Sequence, residues 1–354
     1  MKHNIEFYSD KKVLLTGHTG FKGSWMSKLL VDAGAKVTGY ALAPPTSPSL
    51  FEICKLRKQM NSIIGDIKDR AHLQQTFEET QPEIVIHMAA QPLVRDSYKN
   101  PVYTYEVNVM GTVNILECVR NSDSVKSFLN VTTDKVYLNK EWVWGYREKD
   151  ELNGYDPYSN SKSCSELVTS CYKKSFFSDS KTAISTARAG NVIGGGDFAT
   201  DRIIPDCIRA AQNNEDIIVR NPYSIRPYEH VLEPIAAYLM ICHEQYEDIH
   251  YADSYNVGPE EADCWTTGDL VTLFCKKWNE STGSSLNWRN EHDGGPHESN
   301  FLKLDCSKIK NTFEWRPRWN IERAMEKIVE WSKIYLDNGN VNRCMENQIE
   351  EFFK

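Results

Sequence analysis

Tyr158-Ser159-Asn160-Ser161-Lys162 sets a lysine one helical turn after a tyrosine. A free phenol titrates near pH 10 and is a poor base at neutral pH. A neighbouring ammonium favours the phenolate, so the pair can take a proton from a substrate hydroxyl. The spacing is not rare: Tyr8 and Lys12 repeat it. That copy reads as part of a polar tail before the first strand, with nothing to activate the tyrosine. The copy at 158 follows Thr132-Thr133-Asp134-Lys135, a polar run at the end of an apolar strand. Ligands of open α/β sheets bind at the carboxyl ends of strands, so position favours the second copy.

The elements that must hold these residues are legible as a pattern. Short apolar, β-branched runs at 13–16, 36–40, 62–65, 84–88 and 128–132 predict strands. Helices are predicted between them at 24–33, 70–80 and 103–121, and further strands at 183–187 and 254–257. This alternation means βαβ units and a parallel sheet covered on both faces. The expected fold is a Rossmann-like doubly wound α/β sheet with a smaller, interleaved lobe. From about 191 the alternation breaks up around Gly194-Gly195-Gly196, Asn221-Pro222 and Gly294-Gly295-Pro296. The expected division is a dinucleotide domain over 1–188, joined by 230–257, and a substrate lobe over 189–229 and 258–354. The helix at 103–121 is apolar on more than one face, which predicts burial against the sheet and against a subunit partner.

The first predicted strand runs into Gly17-His18-Thr19-Gly20-Phe21-Lys22-Gly23 and then into a helix. Gly-x-x-Gly-x-x-Gly in that position is a dinucleotide fingerprint. Glycines let the backbone approach a diphosphate, and the helix start near Ser24 aims N–H groups at it. An acidic residue about 20 positions on usually grips the ribose. Here Tyr40-Ala41-Leu42-Ala43-Pro44-Pro45-Thr46 has neither a carboxylate nor an arginine. A 2′-phosphate needs a cation more than a hydroxyl needs an acid, so the loop favours NAD over NADP. Asp66, closing the third strand, could meet the adenine amino group or cap the following turn.

Composition narrows the remaining classes. The 354 residues carry 41 basic and 49 acidic side chains, net −8, without a basic stripe, which argues against nucleic acid as a partner. The ten cysteines lack metal-ligand spacing, so no metal is expected and reduced thiols in a cytoplasmic protein are. The first six residues contain no apolar run, so no secretory leader is expected. No apolar stretch reaches the ~20 residues of a membrane span.

Taken together, the stretches 16–25, 87–95, 133–137, 188–197, 201–206 and 226–234 resemble the extended short-chain dehydrogenase/reductases. Within them the chain is similar, from 12 to 331, to the nucleotide-sugar 4,6-dehydratases of the NAD-dependent epimerase/dehydratase family. The resemblance implies NAD held by Gly17, His18, Gly20, Phe21, Lys22, Gly23, Asp66, Ile67, Ala89, Ala90, Gln91 and Thr132, with Tyr158 and Lys162 at its nicotinamide. The implied chemistry oxidises the sugar at carbon 4, eliminates water across carbons 5 and 6, and returns the hydride to carbon 6. Tyr158 takes the 4-hydroxyl proton, Thr133 hydrogen-bonds that hydroxyl, Asp134 protonates the departing 6-hydroxyl and Lys135 removes the carbon 5 proton.

In dTDP-glucose dehydratases the residue after the aspartate is usually glutamate, and Lys135 resembles the CDP-glucose group instead. A lysine base needs a lowered pKa, which Lys162 and a dry site would provide. The nucleotide sugar is implied to meet Gln91, Thr133, Asn191, Arg202, Arg226 and Glu298. Two departures stand out. Tyr228-Glu229 replaces a typical Trp-Gln, with Glu229 expected to add charge near the nucleotide, and Phe198 replaces a common tryptophan. A homo-oligomer, dimer or tetramer, and a place in deoxysugar biosynthesis for O-antigen lipopolysaccharide complete the implied picture. The alternatives are a 4-epimerase, which would need Tyr158 and Lys162 but no acid–base pair at 134–135, and a dehydratase acting on a different nucleotide sugar. A cofactor-sensing scaffold without catalysis is a further alternative; it could lose the tyrosine–lysine pair that is intact here.

Overall fold

The computed structural model describes residues 5–291 and 301–354. Seven strands form one parallel sheet: β1 (Lys12–Thr16), β2 (Lys36–Ala41), β3 (Asn61–Ile64), β4 (Ile84–His87), β5 (Ser127–Thr133), β6 (Ala183–Ala189) and β10 (Ser254–Val257). Their order is β10-β6-β5-β4-β1-β2-β3. β1 pairs with β2 on one side and β4 on the other, so the winding reverses there. That reversal opens a crevice at the carboxyl ends of β1 and β4.

Why the strands read as apolar runs follows from the core. Val13 and Leu15 of β1, Ile84 and Ile86 of β4 and Leu129 and Val131 of β5 pack into one cluster. Leu14, Val85 and Phe128, their alternating neighbours, pack into another on the opposite face. Both faces are covered, so alternation in sequence disappears. α1 (Phe21–Asp32) contributes to the first cluster and α2 (Arg70–Thr80) to the second. Outside the main sheet, β7 (Asn191–Ile193), β9 (Ile225–His230) and β11 (Cys264–Thr266) form a three-stranded sheet, and β8 (Ile217–Val219) pairs with β12 (Trp288–Asn290).

Three expectations are corrected. First, α1 begins at Phe21 rather than near Ser24, so Gly23 lies in its first turn. A Cβ on Gly23 would sit 2.1 Å from the Gly17 carbonyl oxygen, so glycine is required by the closeness of loop and helix. Second, Tyr8 is not in a polar tail: it is fully buried, and its hydroxyl donates to the Leu239 carbonyl at 2.6 Å. Third, the helix expected at 103–121 contains a π-helical turn, Glu106–Met110, between the α-helical stretches Pro101–Tyr105 and α3 (Gly111–Arg120). Ile115, Leu116 and Val119 are buried, whereas Val102 and Met110 are exposed.

Candidate active site

A cleft of about 1040 Å³ opens over the carboxyl ends of β1, β4 and β5 and is walled by the 189–229 segment. Its floor begins at Thr16. That hydroxyl contacts His87 Nδ1 at 2.8 Å and accepts from the Met88 and Ala89 amides at 3.0 and 3.1 Å, tying the end of β1 to the loop after β4. Gly17 follows with φ +78°, and a Cβ there would lie 2.9 Å from the Ala89 nitrogen. The left-handed backbone and the narrow gap both demand glycine. Gly20 then caps α1 with extended backbone, leaving the first amides of the helix facing the cleft. A cradle of free amides and missing side chains fits the diphosphate of a dinucleotide.

Of the residues expected at a cofactor, Gly17, Gly20, Phe21, Lys22, Gly23, Asp66, Ile67, Ala89, Ala90, Thr132, Tyr158 and Lys162 line this cleft. His18 and Gln91 do not. His18 is fully buried, its Nε2 2.8 Å from Ser62 Oγ, because Gly39 leaves a hole that the imidazole fills. Burial, with Arg57 adding to it, lowers its pKa to about 4. The Gln91 side chain donates to Leu93 O and Thr104 Oγ1 and accepts from the Leu93 amide, so it shapes its own loop. Asp66 lines the cleft while its Oδ1 accepts from the Lys68 amide at 2.9 Å, the turn-capping role. At the end of β2, Tyr40 donates to Asp66 O at 3.1 Å and covers Gly65. Hydroxyls of Thr19, Thr46, Ser47 and Ser49 stand near that end instead of a carboxylate.

The polar end of β5 is the most charged part of the cleft. Asp134 is 1 % exposed; its Oδ1 accepts from Thr133 Oγ1 at 2.8 Å, and its Oδ2 has no hydrogen-bond partner among the described residues. Burial raises its pKa, opposed by Lys135, Thr133 and Arg226. Lys135 is half-buried beside it, and both line the cleft.

Across from them α4 (Pro157–Phe176) starts at Asp156, whose side chain accepts from the Ser159 amide, and delivers Tyr158 and Lys162 on one face. Burial pushes Tyr158 up to about 12, with a hydrogen bond to Thr133 and the charge of Arg202 pulling down. The expected activation by Lys162 is not what this arrangement provides. Lys162 Nζ donates to the Val131 carbonyl at 3.1 Å, and burial followed by Lys22 lowers its own pKa to about 8. The cation that Lys162 faces is therefore Lys22.

Asn191, Arg202 and Arg226 line the opposite wall. Arg202 pairs with Asp197 at 3.1 Å, and Arg226 is almost fully buried. Glu298 lies outside the described residues. Glu229 does not line the cleft and is 3 % exposed; burial, then Glu233, raises its pKa well above the usual range. Burial thus works against the expected added charge, and the side chain is close in shape to glutamine. Phe198 lines the cleft and packs edge-on against Trp331 and Tyr335.

Sequence reasoning missed Asn108. From the π-helical turn it accepts from the Gln91 amide at 2.9 Å and donates to Gln91 O and Ser161 Oγ. It thereby joins the loop after β4 to the helix carrying Tyr158. An asparagine flanked by Val107 and Val109 in a largely apolar helix was the available signal. Among the described residues no group of three metal-ligating side chains occurs, and no helix is long and apolar enough to cross a membrane.

A glycine cradle at the switch point, with a tyrosine and lysine at its mouth, defines a dinucleotide-binding α/β protein of the dehydrogenase/reductase type. Comparison with known proteins narrows this. The model of the GDP-mannose 4,6 dehydratase family matches residues 14–328, and the chain belongs to that family. It is 47% identical over 352 residues to a CDP-glucose 4,6-dehydratase of Salmonella typhimurium, covering 98% of this chain and 97% of the relative. The fold is shared with dTDP-glucose 4,6-dehydratase from Bacillus anthracis in complex with NAD: TM-score 0.75, 19% identity, 94% of this chain and 99% of that one. A UDP-glucose 4-epimerase of Thermotoga maritima gives 0.77 at 20% identity, covering 92% and 99%.

Proposed function

We propose that the chain is an NAD-dependent CDP-glucose 4,6-dehydratase, a hydro-lyase that yields the 4-keto-6-deoxy sugar nucleotide. The observation that carries this reading is the Asp134–Lys135 pair set across the cleft from Tyr158, with Asp134 buried, which favours its protonated form. An epimerase has no use for that proton. NAD, when bound over the glycine loop, supplies the reversible hydride acceptor. Tyr158 takes the proton of the sugar 4-hydroxyl, and Thr133, hydrogen-bonded to Tyr158, orients that hydroxyl. Lys135 Nζ takes the proton from carbon 5, made acidic by the neighbouring ketone. Asp134 gives its proton to the 6-hydroxyl, which departs as water. Arg202 and Arg226 hold the nucleotide diphosphate, and Asn191 orients it. The 47% identity to a CDP-glucose enzyme supports the cytidine nucleotide.

The same reading takes 1–188 with 230–257 as the cofactor domain and the remainder as the substrate lobe. It makes the protein a cytoplasmic homo-oligomer that supplies a deoxysugar for O-antigen lipopolysaccharide. Exposed Val102 and Met110, beside the π-helical turn, support self-association. Incubation with CDP-glucose followed by mass spectrometry tests the function: the product should be lighter by one water, with no net NADH released. Free NADH accumulating in proportion to product would make the protein a dehydrogenase instead.

A further inference from the structure

Lys22, expected among the cofactor residues and lining the cleft, is set apart by its surroundings. It follows Phe21 in the glycine loop, and its Nζ reaches past the diphosphate cradle to donate to the Tyr238 hydroxyl at 3.3 Å. Tyr238 lies on α5 (Leu232–Glu247) and is fully buried. Lys22 makes no ion pair among the described residues. Its charged or titratable neighbours are Glu229, Arg202 and Asp134, together with Lys162, whose pKa it depresses. Two of these are cations, and Asp134 is buried, its Oδ2 making no hydrogen bond of good geometry among the described residues.

Of the two acids near Lys22, Glu229 is the more strongly opposed by burial: among the described residues its carboxyl oxygens make no hydrogen bond of good geometry, and only the Gly190 amide approaches them. A buried carboxyl so poorly supplied with donors is shifted toward its neutral form. Burial lowers Lys22 itself to about 8, which leaves it largely charged at neutral pH. An uncancelled ammonium therefore sits in the dry end of the cleft shared with Lys162 and Tyr158, the end where the nicotinamide must lie for Tyr158 to act beside it.

We propose that Lys22 is a positioning residue whose charge biases the bound cofactor toward its reduced form. The oxidised nicotinamide ring carries a positive charge. Hydride arriving from carbon 4 brings two electrons and removes that charge. A fixed cation nearby therefore raises the energy of the oxidised ring and leaves the reduced ring untouched, which favours the first, uphill oxidation of the sugar. The inference rests on the NAD reading above but needs no sugar nucleotide for its test.

The test is a pair of titrations of the whole protein, freed of cofactor, with NAD and with NADH, followed by fluorescence. The parent should bind NADH more tightly than NAD. Removing one charge several ångströms away in a medium of effective dielectric ~20 should cut that preference about tenfold in Lys22→Met and Lys22→Gln. Lys22→Arg, which keeps the charge, should preserve it. Glu229→Gln, neutral like the acid it replaces, should also preserve it. The proposal is overturned if both dissociation constants in Lys22→Met and Lys22→Gln change by the same factor, since Lys22 then serves only diphosphate binding. It is equally overturned if Lys22→Arg loses the preference, or if Glu229→Gln enlarges it about tenfold, which would mean that Glu229 is ionised and cancels Lys22. A parent that binds neither nucleotide would overturn the NAD reading itself, and this inference with it.

Discussion

The chain contains the same tyrosine–lysine spacing twice, and the two copies ended in opposite surroundings. Tyr8 is sealed in the core, its hydroxyl satisfied by the Leu239 carbonyl, while Lys12 opens β1 at the surface. Burial raises the Tyr8 pKa with no cation to oppose it. Tyr158 and Lys162 instead share the face of α4 that borders the cleft. Even there the free protein keeps Tyr158 a weak acid, since burial outweighs the hydrogen bond to Thr133 and the charge of Arg202. The spacing is thus only a scaffold. What makes one copy chemical is an open wall, a threonine and aspartate across from it, and a charge that arrives with the cofactor.

The contrast can be broken hardest at Tyr158. Tyr158→Phe should reduce turnover of CDP-glucose by about 10²–10⁴-fold, the range of a lost general base, with NAD binding nearly intact. Near-parent turnover would move the site elsewhere. Lys135→Met should cost a similar factor but at a later stage. Enzyme-bound NADH should accumulate on mixing with substrate, and solvent deuterium should enter carbon 5 slowly. Absence of bound NADH in that variant would remove Lys135 from the carbon 5 step.

Asp134 sharpens the comparison through pH. Its carboxyl must be protonated to release water, and burial raises its pKa above the usual carboxylate value, so the protonated fraction falls as pH climbs through that raised value. Turnover should decline on the alkaline side for that reason. The residual activity of Asp134→Asn should lack this decline; a decline of the same shape would assign it to another group. The smallest effect belongs to the silent copy. Tyr8→Phe leaves the Leu239 carbonyl without its donor and should lower unfolding stability by about 1 kcal/mol, with turnover unchanged. A large loss of activity in this variant would mean that the two copies had been told apart wrongly.

Much of this arrangement was legible before any coordinates. The strands announced themselves because a sheet covered on both faces needs uninterrupted apolar runs, and the glycine loop because close backbone approach excludes side chains. The Thr133–Lys135 run could be placed because it ends such a strand. Harder to read was the direction in which a side chain points once neighbours compete for it. His18 sits between two loop residues that line the cleft, yet turns into the hole above Gly39. Gln91 folds back on Leu93. Lys22 and Lys162 are 140 positions apart, and only the assembled fold brings their charges together. Glu229 looked like an added charge because its type was visible and its burial was not.

The π-helical turn at Glu106–Met110 carries a consequence for the whole helix around it. An α-helix advances about 100° per residue, so one residue more than the ladder can absorb resets the phase between the two halves. After the turn, Ile115, Leu116 and Val119 are in phase with the sheet. Before and within it, Thr104 and Asn108 are in phase with the loop after β4. Val107, inside the turn, already packs with Ile115, Leu116 and Val119, so the core face runs through it while Asn108 beside it turns to the loop. A single length of chain thus serves both the core and the loop that borders the cleft.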